Sequence, residues 1–176
     1  MRNKIITLIS MAAGFLSLPI SAHGQPPMSG SESSDMSLPL NLSTPEEAVL
    51  SLFRAMYLGD SSLIDEIYLE DAQFRRVTAS GEVKSNWLED WRNWVGEQNE
   101  GDAVEEIFAL QTQEFGHLAA VWAPFVLTYK GKITNCGVNQ FTLVKAENQW
   151  RIIFGIDTAA SPDTDCATFK EEYQNS

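Results

Sequence analysis

The sequence is short of basic residues, cysteine and histidine, and each shortage excludes a class of protein. It has 176 residues, with 12 Lys and Arg against 24 Asp and Glu, which gives a formal net charge of -12. Such a chain is not expected to bind nucleic acid or an anionic membrane through bulk electrostatics. Two cysteines are too few for a disulfide-dense miniprotein or a four-cysteine zinc site. The hydrophobic content of 44% is still ordinary for one folded domain.

Motifs for metal or nucleophilic chemistry are also missing. The sequence has no HExxH, no paired-cysteine spacing, no Gly-rich phosphate loop and no GxSxG elbow. His117 follows Gly116 at an expected turn, so we interpret it as a surface residue rather than a ligand. Cys136 could act as a nucleophile only with a base partner, and none is indicated. We therefore predict no catalytic residue, no metal site and no cofactor.

The first 24 residues have the layout of a secretory signal peptide. Arg2 and Lys4 form a positive end, an apolar stretch follows, and Ala22 and Gly24 fit a signal-peptidase site. The apolar run from 5 to 20 is shorter than the roughly 20 residues that a membrane anchor needs. We expect cleavage near Gln25, no membrane span in the mature chain, and a periplasmic or secreted protein. Residues 25–43 are rich in Ser, Pro and Gly and predict a flexible leader.

A globular domain is predicted over 44–160, with a C-terminal tail over 161–176. Thr44, Pro45 and Glu47 have the pattern of a helix start, and Gly59-Asp60 ends that helix. A short second helix follows, then a hairpin that turns at 80–81, and a third helix from 86. Two-residue periodicity then predicts antiparallel strands over 104–114, 118–129, 132–146 and 150–158. Helices on one face of a curved sheet make an α+β fold.

The strand pattern also predicts which side chains share a face. Pairing counted from a two-residue turn at 130–131 sets Trp122 opposite Asn139. Both faces of the sheet are largely apolar, whereas a solvated face would alternate with charge. We therefore expect a homodimer that forms through the sheet face turned away from the helices.

Six segments carry a resemblance to a known superfamily. They are Phe53–Asp60, Val121–Phe125, Tyr129–Lys132, Cys136–Val144, Trp150–Ile152 and Asp157-Thr158. The pattern resembles the nuclear transport factor 2-like superfamily, and within it the bacterial group labelled as lumazine-binding. The resemblance implies a cone-shaped α+β fold, with a curved antiparallel sheet wrapped on N-terminal helices and a pocket at the open end. Because this superfamily includes isomerases, dehydratases, cyclases and non-catalytic binders, the fold does not choose a function.

The catalytic residues that the resemblance would carry over are absent. Ketosteroid isomerases in this superfamily have a Tyr where this sequence has Leu52, and an Asp base where it has Arg76. The lumazine-binding group implies a His and an Asp where this sequence has Asn135 and Asn139. Amides form hydrogen bonds but do not transfer protons near neutral pH. Acid–base chemistry at these positions is therefore not expected.

The remaining signal is a set of residues that could line a binding pocket. Three tryptophans of the third helix share a face, and they either close the core or line an aromatic pocket. Asp157 is included on the family pattern alone. The predicted ligand-binding residues are Trp87, Trp91, Trp122, Asn135, Asn139 and Asp157.

Three interpretations of function stay open at this point. The first is an exported module that binds a small apolar or aromatic ligand. The second is an enzyme of the same fold, an isomerase or dehydratase-like lyase that acts on a small cyclic substrate. The third is an accessory protein without a small ligand. An oxidising compartment would also permit a Cys136–Cys166 disulfide, but Cys136 lies in mid-strand, so the sequence leaves this bridge open.

Overall fold

A computed structural model of the chain describes residues 40–85 and 87–175. The predicted signal peptide and most of the predicted leader lie outside the described residues. The elements are α1 (Pro45–Leu58), α2 (Ser61–Ile67), β1 (Tyr68–Val77), β2 (Val83–Lys84), α3 (Trp87–Gly96), β3 (Ala103–Ile107), β4 (Gln111–Phe115), β5 (Leu118–Tyr129), β6 (Lys132–Ala146), β7 (Gln149–Ala159) and α4 (Cys166–Gln174). No helix among these is long and apolar enough to cross a membrane.

Helix α1 begins and ends where its sequence signals predict. The Thr44 Oγ1 accepts a hydrogen bond from the Glu47 backbone N–H at 3.2 Å, which caps the first turn. Gly59 ends the helix in the left-handed region, with φ of 68°. A Cβ at this position would lie 2.3 Å from the Gln98 carbonyl oxygen, so glycine also permits the close approach of the chain after α3.

The seven strands form one sheet in the order β2-β1-β7-β6-β5-β3, and β4 also pairs with β5. The β1–β7 pairing is parallel, and the other pairings are antiparallel. The strand predicted over 104–114 is two strands, because Ala109 takes a positive φ of 47° and bends the chain between them. The α+β fold class is confirmed.

A bulge corrects the predicted register of the β5–β6 hairpin. Thr134 in β6 has no partner in β5, so the pairing shifts by one residue beyond it. Trp122 therefore lies opposite Gln140, and Asn139 lies opposite Ala123. The prediction that Trp122 faces Asn139 is wrong, because a shift of one residue moves a side chain to the other face of the sheet.

The main core lies between helices α1–α3 and one face of the sheet, which we call the inner face. Its buried members include Val49, Leu52, Met56, Val121, Phe141, Leu143, Trp150 and Ile152. Gly155 leaves room there for two rings, since a Cβ would lie 2.7 Å from Phe74 and 3.1 Å from Phe141. These apolar contacts fix the helices against the sheet.

Helix α4 covers part of the opposite face, which we call the outer face. A disulfide joins Cys136 of β6 to Cys166, the first residue of α4, with 5.6 Å between the two Cα atoms. Phe169 and Tyr173 of α4 pack with Phe108 around this bridge. The segment predicted as a tail is thus a helix fastened to the sheet.

Candidate functional site

Polar side chains cross the inner face where an apolar core would otherwise continue. Asn139 and Asp157 are direct partners in the β6–β7 pairing, and Arg76 is the partner of Asp157 in the β1–β7 pairing. Asn139 lies two residues before the core residue Phe141, so it points to the same side of β6. We call the following set the inner polar cluster: Tyr68, Arg76, Trp87, Glu105, Asn139 and Asp157.

A buried ion pair lies at the centre of the cluster. The Arg76 Nε donates to both carboxylate oxygens of Asp157, at 3.0 and 2.9 Å, and its Nη2 also donates to Asp157. The Asp157 side chain is 4% exposed and that of Arg76 is 32% exposed. The guanidinium lies 5.0 Å from the centre of the Trp87 ring. This geometry neutralises a carboxylate that would otherwise be costly to bury.

Glu105 provides a second carboxyl group on the other side of Asn139. The Asn139 Nδ2 donates to the Glu105 Oε1 at 2.7 Å. The pKa of Glu105 is raised to about 8, chiefly because the carboxyl group is buried. The hydrogen bond from Asn139 and the charge of Arg76 lower this pKa, and the charge of Asp157 raises it. A carboxyl group with this pKa changes its charge close to neutral pH.

Two polar atoms of the cluster are buried without a hydrogen-bond partner among the described residues. They are the Tyr68 Oη and the Trp87 Nε1. Burial, followed by the charges of Asp157 and Glu105, raises the pKa of the Tyr68 phenol, so it stays protonated. Both groups are hydrogen-bond donors whose burial without an acceptor costs free energy.

Comparisons with known proteins show which fold carries this cluster. No family model and no curated protein matches the chain. Several solved structures do resemble it. One is a nuclear transport factor 2-like protein of unknown function from Shewanella baltica, with 14% identity, a TM-score of 0.52, and coverage of 66% of this chain and 90% of that one. Another is a protein of unknown function from Mycobacterium tuberculosis, with 16% identity, a TM-score of 0.55, and coverage of 74% and 80%. A Streptomyces avermitilis protein, described as a candidate dehydratase of this family, has 12% identity, a TM-score of 0.56, and coverage of 68% and 96%. The chain has the nuclear transport factor 2-like fold.

The predicted site residues are divided between the two faces of this nuclear transport factor 2-like sheet. Asn139 and Asp157 lie side by side in the cluster, and Trp87 reaches it through Arg76. Asn135 pairs with Leu127, two positions along β6 from Gly137, and so shares the inner face with Asn139. The structure thus brings together Asn139, Asp157 and Trp87, whereas Asn135 lies on the same face outside the cluster.

The other two predicted tryptophans lie elsewhere. Trp91 is buried in the core, where its ring packs edge-on against Phe74 with 5.9 Å between the ring centres. Trp122 is 42% exposed on the outer face, because its neighbours in β5, Val121 and Ala123, are buried on the inner face. A pocket bounded by both Trp122 and Asn139 therefore does not exist in this nuclear transport factor 2-like fold.

Sequence reasoning missed Tyr68, Arg76 and Glu105. The signal for Glu105 was available, because Ala103, Glu105 and Ile107 alternate in a short strand whose other inward residues are apolar. Arg76 stands where the resemblance would place a catalytic base, and a lone Arg at an inner strand position indicates a buried acidic partner. Tyr68 gave no signal, because it begins β1 directly after α2.

Proposed function

We propose that the protein is an exported small-molecule-binding module that holds its ligand at the inner polar cluster. The observation that supports this is the pair of buried donors, Tyr68 Oη and Trp87 Nε1, that lack an acceptor among the described residues. Buried polar groups in native proteins are nearly always paired, with the exceptions concentrated at functional sites. A ligand with a carbonyl or hydroxyl oxygen would supply the missing acceptor, and a flat apolar body would suit the Trp87 ring.

The test is native mass spectrometry of protein purified from its own host, followed by variants. We expect a retained small molecule in the wild type. Tyr68→Phe removes one donor and should weaken its binding about 5- to 10-fold, which corresponds to roughly 1 kcal/mol. Tyr57→Phe, which lies in α1 outside the cluster, is the matched control. Equal retention by both variants would reject the inner polar cluster as the binding site.

An enzyme is the second candidate, because one observation favours it specifically. The pKa of Glu105, raised to about 8 beside the buried Tyr68 phenol, suits a group that exchanges a proton near neutral pH. The reaction would be that of an isomerase or dehydratase-like lyase on a small cyclic substrate. A Glu105→Gln variant should then bind the recovered molecule but leave it chemically unchanged. If wild type also leaves it unchanged, the binding module stands.

The lumazine-binding group supplies a named probe. The segments around Cys136–Val144 and Trp150–Ile152 are the support for a relationship to that group. Lumazine is flat and carries carbonyl oxygens, so it meets both requirements of the cluster. We expect quenching of its fluorescence by wild type and less quenching by Tyr68→Phe. If neither protein quenches the fluorescence, lumazine is excluded as the ligand. Native mass spectrometry would then still test for other ligands.

Export is supported by the positive end, the apolar run and the small-residue cleavage pattern of residues 1–24. The disulfide between Cys136 and Cys166 is in keeping with an oxidising compartment. N-terminal sequencing of the exported protein should begin near Gln25. A chain that still carries Met1 would refute the proposal.

A homodimer through the outer face completes the proposal. Large apolar residues stay exposed there, with Leu118 at 53% and Trp122 at 42%. Phe125 lies opposite Gly137 on the inner face and is 2% exposed, so it does not contribute to this contact. Trp122→Glu should give a folded monomer by light scattering, and Val83→Glu on the edge strand β2 should not. A wild type that is monomeric at micromolar concentration would overturn the dimer.

A further inference from the structure

A cavity opens where β1 separates from β7. Tyr68 pairs with Ile152, and the next pair in the register joins Gln73 to Phe154. Residues 69–72 of β1 therefore lie opposite the single residue Ile153 of β7. Because of these extra residues, β1 bends away from β7 at this point. A cavity of about 870 Å³ lies there between α2, β1 and α3. We call it the bulge cleft.

The bulge cleft has the size and part of the lining of a ligand site. Its volume falls within the roughly 300–1,000 Å³ of small-molecule pockets. Ile64 from α2, Phe74 from β1 and Leu88 from α3 line it with apolar surface. Arg151 from β7 also lines it, and Arg151 is not a member of the inner polar cluster. Tyr68 belongs to the inner polar cluster and also lines the cleft, so the two sites adjoin at this residue, and Arg151 distinguishes the cleft from the cluster.

The charged groups of the cleft are unequally paired. The Arg92 Nη1 lies 2.7 Å from the Asp65 Oδ1, so these two charges neutralise each other. The Arg151 Nη2 donates only to the amide oxygen of Gln149, at 3.2 Å. The Arg151 Nε is buried and has no hydrogen-bond partner among the described residues. Nor does any carboxylate of these residues form an ion pair with Arg151.

We propose that the bulge cleft binds a small amphipathic monocarboxylate. The Nε–H and one Nη–H of a guanidinium are parallel donors, which is the arrangement that a carboxylate accepts best, and the Arg151 Nε has no partner among the described residues. The apolar chain of the ligand would cover Ile64, Phe74 and Leu88 and would gain free energy from the area it buries.

The acidic residues of the cleft restrict the ligand to a single negative charge. Glu70 and Glu89 also line it, and both are exposed to solvent. Their charges are screened and do not prevent one carboxylate from reaching Arg151. A second negative charge on the ligand would lie near them without a cation of its own. The cleft thus discriminates against dicarboxylates and phosphates.

Calorimetric titration of the full exported chain with octanoate tests the proposal. Wild type should bind octanoate, and Arg151→Gln should weaken binding about 10- to 100-fold, as expected for charged hydrogen bonds. Arg151→Lys keeps the charge but loses the paired donors, so its affinity should be intermediate. Circular dichroism melting of each variant shows whether it is folded.

The matched control is Arg75→Gln. Arg75 also donates to a glutamine, Gln73, at 3.3 Å, but it does not line the cleft. This control should bind octanoate like wild type, and octanedioate should bind wild type more weakly than octanoate. The proposal is overturned if wild type does not bind octanoate or if octylamine binds as well as octanoate. It is also overturned if Arg151→Gln and Arg75→Gln lose octanoate binding equally.

Discussion

Removal of the Glu105 charge should change the pH dependence of folding in a defined direction. Folding raises the pKa of Glu105 from the ordinary value of 4.5 to about 8. The folded protein therefore holds this proton more tightly than the unfolded chain does. By linkage, the contribution of Glu105 to stability is most favourable below pH 4.5 and is lost as the pH rises towards 8. The side chain introduced by E105Q is uncharged at every pH, so the stability of this variant does not have this pH dependence.

The size of the effect follows from the separation of the two pKa values. Each pH unit between them changes the unfolding free energy by up to about 1.4 kcal/mol. Between pH 5 and pH 7, wild type should lose about 2–3 kcal/mol relative to E105Q. The glutamine Oε1 can still accept the hydrogen bond from the Asn139 Nδ2, so the substitution changes the charge with little change in shape.

Urea titrations at pH 5, 6, 7 and 8, with the disulfide intact, measure this difference. The control is E114Q, which removes a carboxylate that is exposed on β4 and lies outside the cluster. E105Q should become more stable than wild type as the pH rises, whereas E114Q should follow wild type. Parallel curves for E105Q and wild type from pH 5 to 8 would refute the reasoning about Glu105.

Three further expectations concern the fold. Denatured, unreduced protein should show no free thiol, and loss of the Cys136–Cys166 bridge should cost about 3.7 kcal/mol in the chain-entropy model; two thiols per chain would exclude the bridge. Gly137→Ala should strongly lower the melting temperature, because a Cβ would lie 1.9 Å from the Thr158 carbonyl oxygen, and unchanged melting would contradict that contact. Thr44→Ala should lower the unfolding free energy by about 1 kcal/mol in urea, and no change would mean that the cap contributes nothing.

The sequence predicts the helices and hairpins well because their signals are local. Thr44 and Gly59 act within a few residues of the helix that they bound, and the turn at 130–131 joins two strands directly. The bulge at Thr134 has no such signal in the strand pattern. It nevertheless shifts every β5–β6 pair predicted beyond it by one residue, so Trp122 and Asn139 lie on opposite faces of the sheet.

The inner polar cluster was beyond prediction for a different reason. Its members come from α3 and four strands, and the parallel β1–β7 pairing that joins Arg76 to Asp157 links residues 81 positions apart. Helix α4 could have been found, since Asp165 is a capping residue and Phe169 and Tyr173 are four residues apart. Pairings between distant strands leave no comparable trace in a single sequence.

The apolar packing elsewhere on the inner face supports the proposal that the inner polar cluster binds a ligand. Two residue pairs further along the same strands, Phe141 lies opposite Gly155 beneath the Phe74 ring, and the face closes with apolar contacts alone. A cluster that existed for stability would pair all its donors, because each unpaired one costs free energy. Among the described residues, the Tyr68 Oη and the Trp87 Nε1 have no hydrogen-bond partner. The buried Asp157 carboxylate depends on its ion pair with Arg76. Since the fold can fill this face without polar groups, the unpaired donors support the proposed ligand site, and the stability that E105Q recovers above neutral pH measures part of the cost of burying the cluster.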